Sequence, residues 1–335
     1  MKTPRFFQLA SLDAATLAGE AAAGLRASAA AASPKFFYDL LGSRLFDAIT
    51  ELDEYYPTRT EAAIFEAQRD AICDAALSCS GPRPVLVDLG AGSCAKAARL
   101  FAPLQPRRYV AVDISVDFLR DALAALQRVH PALDLVGVGQ DFSARLELPA
   151  ELLDAPALVF YPGSSIGNFA PPEALKLLRE ARALCRHGGG LLIGADLVKD
   201  ARVLEDAYDD ALGVTAAFNL NLLRRLNALL GTNFDLRQWR HVALFDTQHS
   251  RIEMHLEARE ALVVRWPERA DRPDRAARAA GAAERRFAAG ERIHTENSYK
   301  WRPAQFEALL REAGFAGVRT FTDPQGWFGV FVARA

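Results

Sequence analysis

The run Val85-Leu86-Val87-Asp88-Leu89-Gly90-Ala91-Gly92 passes from apolar residues into glycines, and Ala95-Lys96-Ala97-Ala98-Arg99-Leu100 then opens a helical pattern. Glycines at such a turn let backbone approach a ligand closely. Gly90-x-Gly92-x-x-Ala95 also fits the dinucleotide-binding fingerprint, with Asp113 about twenty residues on to hold a ribose. Taken alone, the motif leaves a nicotinamide dinucleotide and S-adenosylmethionine both open. Three details favour the second. Asp88 lies two residues before the first glycine, where a carboxylate pairs with the ammonium of a methionyl group and repels a pyrophosphate. Gln140-Asp141-Phe142 supplies an acceptor and an aromatic face suited to adenine. Tyr161-Pro162-Gly163-Ser164-Ser165-Ile166-Gly167-Asn168-Phe169 forms a tight loop that carries an amide side chain.

Other groups with possible chemistry carry weaker signals. His249 and His255 flank Glu253 with the parity of one strand face, which reads as a solvent-facing ladder and not as a metal site. Cys73, Cys79, Cys94 and Cys185 form no C-x-x-C pair and read as free thiols in a reducing cytoplasm.

Elements able to position these residues are legible around them. PVLVDL (84–89), YVAVD (109–113), LDLVGV (133–138), ALVFY (157–161) and GLLIGAD (190–196) are apolar throughout, as strands are when helices cover both faces of a parallel sheet. Helical stretches separate them, so a doubly wound α/β sheet is expected. Carboxyl ends of such strands line the ligand crevice. From Pro303 an amphipathic helix ending at Gly314 and two strands, VRTFT and GWFGVFVAR, should close the sheet.

Two segments lie outside this alternation. Residues 1–60 are helical by composition. In the second, Phe218, Leu222, Leu226 and Leu229 share a helix face that Gly231 stops. Ile252, Met254 and Leu256 then alternate with Arg251, Glu253 and His255 as on a half-buried strand. The expected organisation is an N-terminal arm (1–60) and an insertion (197–297) forming a second α+β, substrate-binding domain. The Rossmann-like domain is then 61–196, completed by the C-terminal strands of 298–335. The Arg- and Ala-rich stretch 267–291 reads as a solvated loop or hairpin extension.

The chain has 335 residues, half of them apolar, and a formal net charge of -2. That suffices for a substantial core and gives no global basic field for nucleic acid or acidic lipid. Asp13, Glu20 and Arg26 interrupt any signal-like apolar run, and no 18-residue uncharged apolar stretch occurs. The expectation is a cytoplasmic enzyme with small-molecule partners, no nucleic acid and no membrane; a monomer suffices.

SPKFFYDLLGSRLFDAITELDEYYPTRTE (33–61), LVDLGAGSCAKA (86–97), FYPGSSIGNF (160–169), LIGADLVKD (192–200), SRIEMHL (250–256) and RIHTENSYKW (292–301) together resemble the histidine-specific N-alpha-methyltransferases of ergothioneine biosynthesis. The likeness runs from about Ser33 to Ala333, in order, across both expected domains. It implies a class I S-adenosylmethionine-dependent methyltransferase fold and trimethylation of L-histidine to hercynine, without a metal. It further implies donor contacts at Gly90, Lys96, Asp113, Asp141 and Phe142, beside the Asp88 and Gly92 of the glycine loop. Asn168 and Tyr208 would hold the substrate carboxylate, and Tyr55 would sit by the α-amino group within a wall of Tyr38, Phe46 and Gly163. Glu296 and Ser298 would bind the imidazole, with Met254 beside the ring. Another amino acid such as tryptophan is the alternative substrate, and the Glu296/Met254 pair argues against it.

Methyl transfer to a neutral amine is an in-line displacement that needs collinear positioning more than covalent assistance. No activated Ser or Cys is required. Aromatic faces from Tyr38, Phe46 and Tyr55 would suit a product with a fixed positive charge, at about 0.5–2 kcal/mol per contact. A tyrosine hydroxyl near the amine could orient its lone pair or relay its proton.

Overall fold

The structure is a computed structural model that describes residues 2–9, 14–267 and 282–335. Eight strands form the main sheet: β1 (Arg5–Gln8), β2 (Val85–Leu89), β3 (Arg108–Asp113), β4 (Asp134–Gly139), β5 (Ala157–Tyr161), β6 (Gly189–Asp196), β12 (Ala316–Thr322) and β13 (Phe328–Arg334). Their spatial order is β1-β4-β3-β2-β5-β6-β13-β12. β1 to β6 run parallel, whereas β13 pairs antiparallel with both β6 and β12. This is the expected Rossmann-like sheet of class I methyltransferases, with one strand added at an edge. The five strands read from sequence appear within a residue of their expected bounds, and every residue of β2, β5 and β6 is buried.

The added strand corrects the sequence reading. Residues 5–8 were expected in a helical arm; instead they pair in parallel with β4, Arg5 opposite Val136. A four-residue edge strand leaves little periodicity to detect.

Helices α3 (Tyr56–Ser80), α4 (Ala95–Ala98), α5 (Phe101–Leu104), α6 (Val116–Val129), α7 (Pro171–Leu184) and α10 (Pro303–Glu312) cover the sheet, and an apolar core fills each side. A third core is separate. It joins α1 (Ala14–Arg26) and α2 (Leu40–Thr50) to α8 (Ala201–Asp206) and α9 (Val214–Leu230). These pack on the three-stranded antiparallel sheet of β7 (Trp239–Asp246), β8 (Arg251–Ala258) and β11 (Arg292–Tyr299). Phe218, Leu222, Leu226 and Leu229 are buried there as their spacing required, and Gly231 caps α9 at φ 72°. β9 (Leu262–Pro267) and β10 (Ala282–Phe287) pair antiparallel. The connection between them, 268–281, carried most of the expected Arg/Ala-rich loop and lies outside the described residues.

One irregularity matters for the site. Along β11 and β8 the partners are Ile293 with Leu256 and His294 with His255, then Glu296 with Met254 and Ser298 with Ile252. Thr295 is the extra residue of a bulge, held by its hydroxyl to the Met254 carbonyl at 2.9 Å. The bulge puts Glu296 and Ser298 on the same buried face as Ile252, Met254 and Leu256. Among the described residues, no helix is long and apolar enough to cross a membrane.

Candidate functional site

In the main sheet the strand order reverses between β2 and β5, so the crevice opens at their carboxyl ends. Two loops meet there. After β2, Gly90 and Gly92 adopt φ 68° and 50°, conformations that glycine takes without strain. A Cβ built on Gly90 would lie 3.9 Å from the Phe142 ring, which packs edge-on against Tyr161. Asp113 closes the turn, its carboxylate accepting from Gly92 N–H (2.9 Å) and Ser115 N–H (2.8 Å). Asp88 is buried beneath. One oxygen accepts from the Tyr109 hydroxyl at 2.6 Å, while Oδ1 has no hydrogen-bond partner among the described residues. Burial pushes its pKa up to about 7, so a cation placed there would tip the group toward its ionised form.

After β5, Gly163 and Ser164 both take positive φ, 79° and 59°. The Ser164 hydroxyl accepts from the Asp196 N–H at 2.7 Å, and Gly163 N–H donates to Glu61 Oε1 at 2.7 Å. The other oxygen of the buried Glu61 accepts from Lys96 Nζ at 2.7 Å. Glu61 on α3 therefore ties the two loops together. Nothing in the sequence marks this role, because an isolated glutamate in a helix reads as surface.

Two cavities adjoin at Tyr38. The larger is lined by Lys35, Tyr38, Ile114, Ser115, Gln140 and Asp141 among others. Lys35 spans it, donating to Asp141 (3.1 Å) and to Glu20 (2.5 Å). The smaller brings together Tyr38, Phe46, Tyr55, Gly163, Asn168, Asp196, Tyr208, Glu296 and Ser298. Asn168 comes from the β5 loop of one lobe, and Glu296 and Ser298 from β11 of the other; all three face one space. Tyr38, Phe46, Tyr55 and Tyr208 meet edge to face in succession, with ring centroids 6.0–6.2 Å apart. Of the adjacent tyrosines, Tyr55 lines this cavity, whereas Tyr56 lies behind its wall and donates its hydroxyl to Asp196 at 2.7 Å.

Met254 is not on the cavity wall. It is buried in the third core, opposite Glu296 in the strand register. The two histidines also depart from the expected ladder. His249 sits in the β7–β8 turn against Asp246, and His255 is mostly buried, stacked edge-on against His294 and bonded to Glu253 at 2.9 Å. Among the described residues no group of His, Cys, Asp and Glu is arranged to hold a metal ion.

Under the smaller cavity lies a charged cluster that the sequence analysis missed. Asp196 accepts from Lys199 (2.5 Å), Lys300 (2.8 Å) and Tyr56 (2.7 Å), and the side chains of Lys300 and Asp196 are at most 1% exposed. The two ammonium groups hold Asp196 below the usual carboxylate range despite burial. Burial brings Lys199 down to about 8, against the pull of Asp196. Lys300 reaches further, donating to the Tyr208 hydroxyl at 3.1 Å and to the Ser298 hydroxyl at 2.8 Å. A signal was present: Glu296, Ser298 and Lys300 alternate, and so share one face of β11 and its extension.

Titration at the wall follows from burial. It pushes Glu296 up to about 8, with Lys300 pulling the other way. It lifts the Tyr55 and Tyr38 hydroxyls well above their ordinary value, helped by neighbouring acids, so both stay protonated. The cavity thus offers neutral aromatic hydroxyls, an amide, and one carboxyl group poised between its two states.

Comparison with known proteins places this arrangement. The family model described as "Histidine-specific methyltransferase, SAM-dependent" matches residues 17–335. A histidine N-alpha-methyltransferase of Mycolicibacterium smegmatis is 40% identical over 93% of this chain and 92% of its own. One from Mycobacterium tuberculosis is 38% identical over 92% of each. "Ergothioneine biosynthesis protein 1" of Schizosaccharomyces pombe is 30% identical over 69% of this chain, which spans 31% of that longer protein. With both lobes and every segment of the cavity wall inside the match, the chain belongs to the histidine-specific, S-adenosylmethionine-dependent methyltransferase family.

Proposed function

We propose that the protein transfers three methyl groups from S-adenosylmethionine to the α-amino nitrogen of L-histidine, giving hercynine for ergothioneine biosynthesis. The observation that carries this reading is the single cavity lined by Asn168 and Tyr208 together with Glu296 and Ser298. An amino acid anchored by its carboxylate at the first pair and by its ring at the second has only its backbone nitrogen left to react. Family membership leaves the nicotinamide reading of the glycine loop without support.

The donor supplies an electrophilic methyl on a sulfonium when bound. For that donor, the open Oδ1 of Asp88 suits an ammonium, Lys96 a carboxylate, and Asp113 with Asp141 and Phe142 a ribose and an adenine. This chain's residues do the positioning. Asn168 and Tyr208 fix the acid end, and Glu296 and Ser298 the imidazole. The Tyr55 hydroxyl, kept protonated, orients the amine by hydrogen bonding and does not act as a phenolate base. Tyr38, Phe46 and Tyr55 present aromatic faces to the charge that grows with each round. The four unpaired cysteines support a reducing, cytoplasmic setting.

The test is incubation of purified protein with S-adenosylmethionine and a mixture of amino acids, followed by mass spectrometry. A gain of three methyl groups on histidine alone is expected; methylation of tryptophan or another amino acid in its place refutes the substrate assignment.

A further inference from the structure

Lys300 is wholly buried, and all three of its N–H donors are engaged: Asp196 at 2.8 Å, Ser298 Oγ at 2.8 Å and Tyr208 Oη at 3.1 Å. An ammonium only donates, so both hydroxyl oxygens act as acceptors toward it. The Tyr208 hydroxyl in turn donates to Ser298 at 2.7 Å. Ser298 Oγ therefore accepts twice, and its own proton must find an acceptor elsewhere; the cavity is the side that remains. Asp196, anchored by Lys199 and Tyr56, holds the ammonium in place.

We propose that Lys300 is a positioning residue that fixes substrate specificity: with the Tyr208 hydroxyl it occupies both lone pairs of Ser298 Oγ, and so compels Ser298 to offer its proton, and not a lone pair, to the bound amino acid. This rests on the histidine reading above and deepens it. A Ser298 proton suits a ring nitrogen that carries a lone pair, while the Glu296 carboxylate takes the N–H of the other nitrogen. The pocket then recognises a ring with one donor and one acceptor, a property of imidazole that indole and pyrrole lack. The groups facing Lys300 are Asp196 from β6, Lys199 from the segment after it, Tyr208 from the segment after α8, and Ser298 with Glu296 from β11.

The experiment compares wild type with Lys300→Met, which keeps most of the side chain's length without the charge. Each is assayed with L-histidine and with the two pyrrolylalanine isomers, in which one ring nitrogen becomes C–H. Wild type should use the better isomer at least about 10-fold less efficiently than histidine. In Lys300→Met the KM for histidine should rise about 10- to 100-fold. Its preference for histidine over that isomer should shrink severalfold, with S-adenosylmethionine affinity by calorimetry unchanged. Normal histidine turnover by wild type with an undiminished preference in Lys300→Met overturns the inference alone. Should the variant fail to bind S-adenosylmethionine, the wild-type arm decides: equal efficiency on histidine and a pyrrolylalanine overturns the inference, and discrimination upholds it. Wild type that leaves histidine unmethylated refutes the substrate reading, and this inference with it.

Discussion

Glu296 is built to bind at the expense of the folded state that carries it. Its carboxyl is buried and pushed up to about 8 from an ordinary 4.5, so between those values the folded protein holds a proton that the unfolded chain releases. Stability then falls as pH rises through that window, the reverse of the usual salt-bridged carboxylate. Each pH unit above the ordinary value costs about 1.4 kcal/mol, which sets an upper bound of about 3 kcal/mol at pH 7. The substitution Glu296→Gln keeps the shape and removes the ionisation. Relative to wild type it should gain little or nothing near pH 4.5 and progressively more up to pH 8, about 2–3 kcal/mol in urea unfolding without ligands. The same variant should lose histidine binding about 100-fold or more by calorimetry, because an amide cannot offer two acceptor oxygens or a charge to the ring. A stability difference that is flat from pH 5 to 8 would refute the reasoning.

Other outcomes follow from the same geometry. Turnover should climb from neutral to mildly alkaline pH because the attacking amine must shed its proton, and a level profile over that range contradicts a chemistry-limited reaction. Glu61→Gln should weaken S-adenosylmethionine binding about 10-fold by loosening Lys96 and the Gly163 loop while leaving the melting temperature close to wild type; unchanged affinity counts against a link between the two. Asp196→Asn leaves two buried ammonium groups facing each other and should cost about 3–5 kcal/mol in denaturant unfolding. Gly163→Ala combines a positive φ with a Cβ 3.2 Å from Lys96 Nζ, and about 1–2 kcal/mol of stability with a raised KM for the donor is expected.

The main sheet was legible because β2, β5 and β6 are buried on both faces and carry uninterrupted apolar runs. β1 was not: RFFQ is half exposed and pairs on one side only. Residues of the smaller cavity came from resemblance, and their convergence needed the fold. Nothing local in Asn168 and Glu296 says that they share a space. Buried charge was the hardest to read. Lys199, Lys300 and Asp196 look like surface residues by type, and only their mutual pairing, set by contacts between β6, β11 and α3, makes burial tolerable. The histidines misled for a related reason. Parity gave a ladder, while the turn at Asp246–Ser250 removes His249 from the strand and His294 covers His255.

The single-residue bulge at Thr295 makes the enzyme's choice of substrate a matter of backbone register as much as of composition. A strand repeats every two residues, so Glu296 and Ser298 reach the pocket only because Thr295 is left out of the ladder and the residue after it pairs with Met254. Were Thr295 to take that place itself, as in a regular strand, Asn297 and Tyr299 would look inward, and the acid, the serine and the lysine outward. A relative with the same residue types but one more in this stretch, and no second bulge to absorb it, would carry the motif in its sequence without the pocket in its fold.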